Sequence, residues 1–279
     1  MRRDPLIWVL VLQIMMHLPA LGHLPPWSDE QYTAALVALP GEVFWAEAGR
    51  DVHPPLYYLL LKGWLAMVPA EPVTAMRLLS VLFGLGATVA FDRLWLRPLA
   101  PTPRLAALLL WAGSPTWLLY ARMGRSYSLQ VLLVLAALGW LMQHDHPRLI
   151  RAGLAAGLCL LTDYVTGLAL MGACGLALVR REGPLARGSL GVGLALAGLS
   201  AASLGPGIWE NAGKWMERAG EGLSLGSLLL GLGFGGASLV YGETLPGIAW
   251  VLALFITVPL GLLIVRGVGK SMLPVLLLG

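Results

Sequence analysis

Apolar residues run along this chain in long blocks divided by short polar stretches, the pattern of membrane-spanning helices and not of alternating strands. The first block, 6–24, follows Arg2-Arg3, and its length and the blocks behind it predict an uncleaved signal anchor. A long loop, 25–73, comes next. Further spans are expected at 75–95, 105–119, 128–142, 152–161, 165–179, 189–204 and 246–265. A last apolar run from Met272 to Gly279 is too short to cross and reads as an incomplete carboxy-terminal span.

Composition sharpens this picture. The chain is 57% hydrophobic and only 12% charged, with a mean hydropathy of +0.75, which a soluble domain does not reach. The expected fold is all-α: a polytopic helical membrane protein with a long outer first loop carrying juxtamembrane helices. Residues 1–279 read as a single transmembrane domain. Cys159 and Cys174 lie within apolar runs and read as buried free thiols. The net charge is +4, but no basic stripe exists, which argues against a nucleic-acid partner.

Charge placement orients the spans. With the amino terminus cytoplasmic, Arg2, Arg3, Arg93, Arg97, Arg104, Arg148, Arg151, Arg180, Arg181, Arg187, Arg266 and Lys270 all fall inside, twelve of nineteen basic residues. Eleven of fifteen acids fall outside, so the outer face holds the polar chemistry. Residues 152–179 carry basic clusters at both ends, which two short spans broken at Thr162-Asp163-Tyr164 would keep on one side. The glycine-rich stretch within 209–245 reads as an outer re-entrant or interfacial segment.

Three outer segments carry candidate chemistry. Asp29 and Glu30 follow Pro25-Pro26-Trp27-Ser28 on a short helix expected to run to about Leu39; Asp29 shares a face with Tyr32 and Glu30 points elsewhere, so the two acids have different jobs. A cap with a solvated acid is the plain alternative. His53-Pro54-Pro55 opens a second short helix over 56–67, where Tyr57, Tyr58 and Trp64 suit the headgroup level. For His53 a cap, an anion ligand and a metal ligand all remain open. Arg122 and Arg125 stand three apart in Tyr120-Ala121-Arg122-Met123-Gly124-Arg125-Ser126-Tyr127, so a helical turn would put both guanidinium groups on one face, suited to phosphate or to snorkelling. Asp163, at the break between two spans, is either a carboxylate near membrane depth or a loop tip. Lys62, Arg77, Trp209, Lys214, Trp215 and Arg218 are further outer-face candidates with a weaker signal, for which interfacial anchoring is the plain alternative. No P-loop, dinucleotide fingerprint, zinc-helix or nucleophile-elbow motif occurs.

The acid pair after the first span, His53-Pro54-Pro55-Leu56-Tyr57-Tyr58, Arg77-Leu78-Leu79-Ser80, and Tyr120-Ala121-Arg122 with Arg125 and Tyr127-Ser128-Leu129 together resemble the polytopic C-type glycosyltransferases related to protein O-mannosyltransferases and aminoarabinose transferases. The resemblance covers about residues 1–180. It implies an enzyme that moves a hexosyl or pentosyl group from a polyprenyl-phosphate donor to an acceptor on the outer face of the cell membrane. It implies Asp29 as the catalytic residue, acting at or near the acceptor with Glu30 beside it, and His53, Tyr57, Arg122, Arg125 and Tyr127 at the substrate, some near the donor phosphate. A divalent metal ion is a possible cofactor, with Asp29, His53 and Asp163 as candidate ligands. The chain departs from the family pattern at Asp163, where relatives often carry His, and between the two arginines, where an acid is usual. A transporter or flippase for a lipid-linked or anionic substrate, or a non-catalytic relative of the same fold, are the competing expectations.

Overall fold

The structure, a computed structural model, describes residues 4–180 apart from 20, 52, 144 and 145, together with 191 and 195. The chain divides into two compact units. The first, Met1–Ala112 with Tyr120–Trp215, holds the whole candidate site; of the second, only 113–119 lies among the described residues. Apart from 191 and 195, the expected spans 189–204 and 246–265, the segment 209–245 and the final apolar run lie outside the described residues, as do Trp209, Lys214, Trp215 and Arg218.

Every regular element among the described residues is helical. Helix α1 is Pro5–His17, opened by Asp4, whose side chain accepts from Leu6 N at 3.2 Å. It stops well before the expected 24, because Pro19 has no N–H with which to continue the backbone ladder beyond Leu18. Three short helices, α2 (Ser28–Ala38), α3 (Gly41–Ala48) and α4 (Leu56–Met67), fill the first loop. Pro55 directly precedes α4, as the sequence led us to expect. Helix α5 is Pro72–Phe91, capped by Glu71, which accepts from Val73 N and Thr74 N. It runs on as a π-helical turn, Asp92–Leu96. The block expected as one span at 105–119 is two helices, α6 (Pro101–Ala112) and α7 (Pro115–Tyr120), because Pro115 interrupts the backbone ladder. Helices α8 (Tyr127–Leu141), α9 (His146–Leu160) and α10 (Tyr164–Arg180) follow.

In the first unit, α5 packs on α8, α8 on α9 and α9 on α10, while α1 packs on α5 and α6. The main core runs from Phe44, Tyr57, Tyr58 and Leu61 through Met76 and Leu79 to Leu133, Ala156 and Cys159. Cys159 and Cys174 are free and buried. At the other end, Arg104 clamps fully buried Asp92 through two 2.6 Å hydrogen bonds and also reaches Asp4 at 3.1 Å. That cluster ties the start of α1 to the end of α5 and the start of α6.

Among the described residues one helix, Pro72–Leu96, is long and apolar enough to cross a membrane. Helices α1 and α8 are apolar over 13 and 15 residues, below the roughly 20 that a perpendicular crossing requires.

The break expected at Thr162–Tyr164 is present, between Leu160 and Tyr164. Asp163 caps α10 by accepting from Thr166 N at 2.7 Å. The two helices cross so closely that a Cβ on Gly167 would lie 2.1 Å from Leu160 Cα. Gly167→Ala is expected to lower the thermal unfolding midpoint in detergent, at a cost of about 1–3 kcal/mol. Gly172→Ala, where a Cβ meets nothing within 4 Å, serves as the control and should show no loss.

Candidate active site

The first turn of α2 sends its two acids in opposite directions, since neighbours on a helix point about 100° apart. The Asp29 side chain is 55% exposed and that of Glu30 only 1%. Glu30 accepts four hydrogen bonds: from Arg77 Nε (2.9 Å) and Nη2 (2.7 Å), Gly124 N (2.7 Å) and Trp27 N (3.1 Å). Burial alone would push its carboxyl up, but these donors and the Arg77 charge hold it below the usual carboxylate range. Expected among the substrate contacts, Glu30 is engaged on both oxygens by the protein itself.

Arg77 corrects another expectation. Read from sequence as an interfacial anchor, it is buried, and beyond Glu30 it donates to Leu21 O (2.6 Å), Leu24 O (2.9 Å) and Pro25 O (3.3 Å). One guanidinium thus fastens the chain leaving α1 to the start of α2 and to α5. Lys62 is also turned inward, donating to Val37 O and Leu39 O at the end of α2 and lying over the Phe44 ring.

Residues 121–126 form a turn, not the helical turn expected from the spacing of the two arginines. The chain bends so that Gly124 N reaches Glu30, and the approach is close: a Cβ on Gly124 would lie 3.0 Å from Met76 Cβ and 3.2 Å from Glu30 Oε1. Arg122 stays half-buried, while Arg125 turns inward. Arg125 Nη1 donates to Thr33 Oγ1 at 2.7 Å and Nη2 stands 3.8 Å from Asp29 Oδ2. Its carbonyl accepts from Ser80 Oγ at 3.2 Å, and Ser80 meets the Tyr57 hydroxyl at 3.4 Å. Tyr127 begins α8 with its ring edge-on to Tyr120, centroids 5.0 Å apart.

His53, Pro54, Tyr57, Tyr58, Arg125, Ser126 and Thr162 line one small cleft. Two nitrogens at it, Arg125 Nε and His53 Nδ1, are buried without a hydrogen-bond partner. Arg125 Nε is a donor, and His53 Nδ1 donates or accepts according to the tautomer of the ring, so both are available to a polar ligand. Burial pushes the Tyr57 and Tyr58 hydroxyls up, so both stay protonated donors at neutral pH. Tyr58 gives its hydrogen bond to Asp51.

The structure therefore brings together Asp29, Arg125, His53 and Tyr57, and places Glu30 directly behind them. Asp163 is committed to its helix cap, and among the described residues no three His, Cys, Asp or Glu side chains assemble into a metal site. The proposed ligands Asp29, His53 and Asp163 do not form a donor set. Sequence reasoning missed Thr33, Ser80, Asp51 and Thr162 as members of the site. Ser80 ends the Arg77-Leu78-Leu79-Ser80 motif and Asp51 stands two residues before His53, so both carried a positional signal.

Comparison with known proteins adds no name: no family model matches the chain, no curated protein matches its sequence and no solved structure matches its fold.

Removing one member of a buried ion pair strands the other. Glu30→Gln and Arg77→Leu are each expected to cost about 3–5 kcal/mol of stability, read as a lowered unfolding midpoint. Because the folded-state Glu30 value lies below its ordinary 4.5, its contribution is fully present above that pH and is lost as pH falls through the lowered value. Glu30→Gln should lack that acid-side loss; variants that unfold like the wild type would contradict the assignment.

Proposed function

We propose that this protein is a membrane glycosyltransferase that moves a sugar from a polyprenyl-phosphate carrier to an acceptor on the outer face of the membrane. The observation that carries the reading is a single pairing. An exposed carboxylate, Asp29, stands 3.8 Å from a buried guanidinium, Arg125, whose Nε has no protein partner. A base that solvent reaches, beside a cation facing a cleft, is what displacement of a phosphate leaving group requires.

In this reading Asp29 takes the proton of an acceptor hydroxyl as that oxygen attacks the anomeric carbon. The bond from the anomeric carbon to the phosphate oxygen breaks, and its electron pair leaves with the polyprenyl phosphate. Arg125, with His53 and the Tyr57 hydroxyl nearby, takes up the charge that develops on the phosphate. A single displacement inverts the anomeric centre.

A lipid carrier suits the apolar surface that the chain presents. Helix α1 leaves Ile7, Trp8 and Met15 more than half exposed, and α5 with its π-helical turn has the length and apolarity of a span. Apolar side chains presented on this scale suit hydrocarbon better than water. The order of motifs shared with the polytopic C-type glycosyltransferases supports the same reaction class. Multiple membrane crossings, a cytoplasmic amino terminus and an outward-facing site in the cell membrane belong to this proposal.

Asp29→Asn should lower turnover with a polyprenyl-phosphate sugar about a hundredfold or more while donor binding is kept, measured on the purified full chain with a panel of short-chain donors. Arg125→Ala should weaken donor binding itself. Saturable binding with no transfer by the wild type from any donor would overturn the transferase reading in favour of a carrier.

A further inference from the structure

We infer that Asp51 is a positioning residue for the phosphate end of this cleft, holding the His53 ring toward the bound carrier phosphate; this rests on the cleft being a phosphate site. Asp51 lies in the segment between α3 and α4, its side chain 9% exposed. Its Oδ2 accepts from the Tyr58 hydroxyl, and its Oδ1 faces His53 Nδ1 at 3.9 Å. That nitrogen is buried and makes no hydrogen bond. The charged and titratable groups around the ring are Asp51 from the same segment, Tyr57 and Tyr58 from α4, and Arg125 from the turn before α8.

The distance is the informative quantity. At 3.9 Å the pair is about 1 Å too long for an N–H···O bond, yet no other partner takes the Nδ1 position. A small rotation of the ring closes the gap. Once Nδ1–H is given to Asp51, the tautomer and the plane of the ring are set, and the second ring nitrogen is left to meet an anion. The orphaned Arg125 Nε borders the same cleft. A phosphodiester there would satisfy both groups, and its entry supplies the reason for the ring to turn. The other reading of Asp51 is a tether for Tyr58 alone.

A double-mutant cycle separates them. The probe is farnesyl methyl phosphodiester, which carries one negative charge throughout the neutral range, bound at equilibrium to the full chain in detergent. Asp51→Asn and His53→Gln are each expected to weaken binding about five- to tenfold, and the double variant no further, because the two side chains act as a unit. Asp51→Glu should regain most of the affinity, and in a Tyr58→Phe background, which breaks the Tyr58–Asp51 hydrogen bond, the coupling between Asp51 and His53 should persist. The inference is overturned if the two single losses multiply, if Asp51→Asn binds normally, if the Tyr58→Phe background abolishes the coupling, or if the wild type does not bind the probe. Sugar transfer measured on the same preparations distinguishes the two claims. Coupling without transfer supports the Asp51 assignment and sinks the transferase reading, whereas transfer without coupling sinks Asp51 alone.

Discussion

The buried pair of Glu30 and Arg77 is the constraint on which the rest of the site depends. Two charges withdrawn from solvent cost several kcal/mol each unless every lone pair and proton finds a partner. Here Glu30 receives four donors and Arg77 reaches three carbonyls in addition. The partners come from four places in the chain: the segment after α1, the start of α2, the body of α5, and the turn before α8. Moving any one of them leaves a charge stranded, so the pair acts less as a source of net stability than as a register mark.

Function follows from that register. With Gly124 N held by Glu30 and the Arg125 carbonyl held by Ser80, the Arg125 side chain has one way to turn, toward Thr33 and Asp29. Adjacent acids then divide the work: Glu30 is spent on position, and Asp29 remains at the surface, beside a cation that is not fully satisfied. Buried polar groups are costly when unpaired, and the contacts that remove this cost in the first loop also assemble the cleft.

Local elements were legible in the sequence and long-range partners were not. The start of α4 after Pro55, the course of α2 and the break between α9 and α10 each have a signal within a few residues: a proline, a capping side chain, a polar tripeptide in an apolar run. Helix α3 carries a comparable signal, Pro40 directly before it and Gly49 directly after it, but at eight residues it is too short for its periodicity to stand out within the first loop. Arg77 and Glu30 are 47 residues apart, and Glu30 and Gly124 are 94 apart. No periodicity reports such pairings, so Arg77 looked like an anchor and the two arginines looked like one helical face. Asp29 and His53 stand out in the sequence through the motifs that contain them, whereas Asp51 becomes visible only with Tyr58 and His53 on either side of it.

The most direct test of the central claim is the anomeric configuration of the product, read by proton NMR after transfer from a lipid-phosphate sugar of known configuration. The account predicts inversion, because one carboxylate acting as base beside a cation that holds the leaving phosphate performs a single displacement. Retention of configuration would require a covalent or second-displacement step for which this site has no assigned nucleophile, and would contradict it.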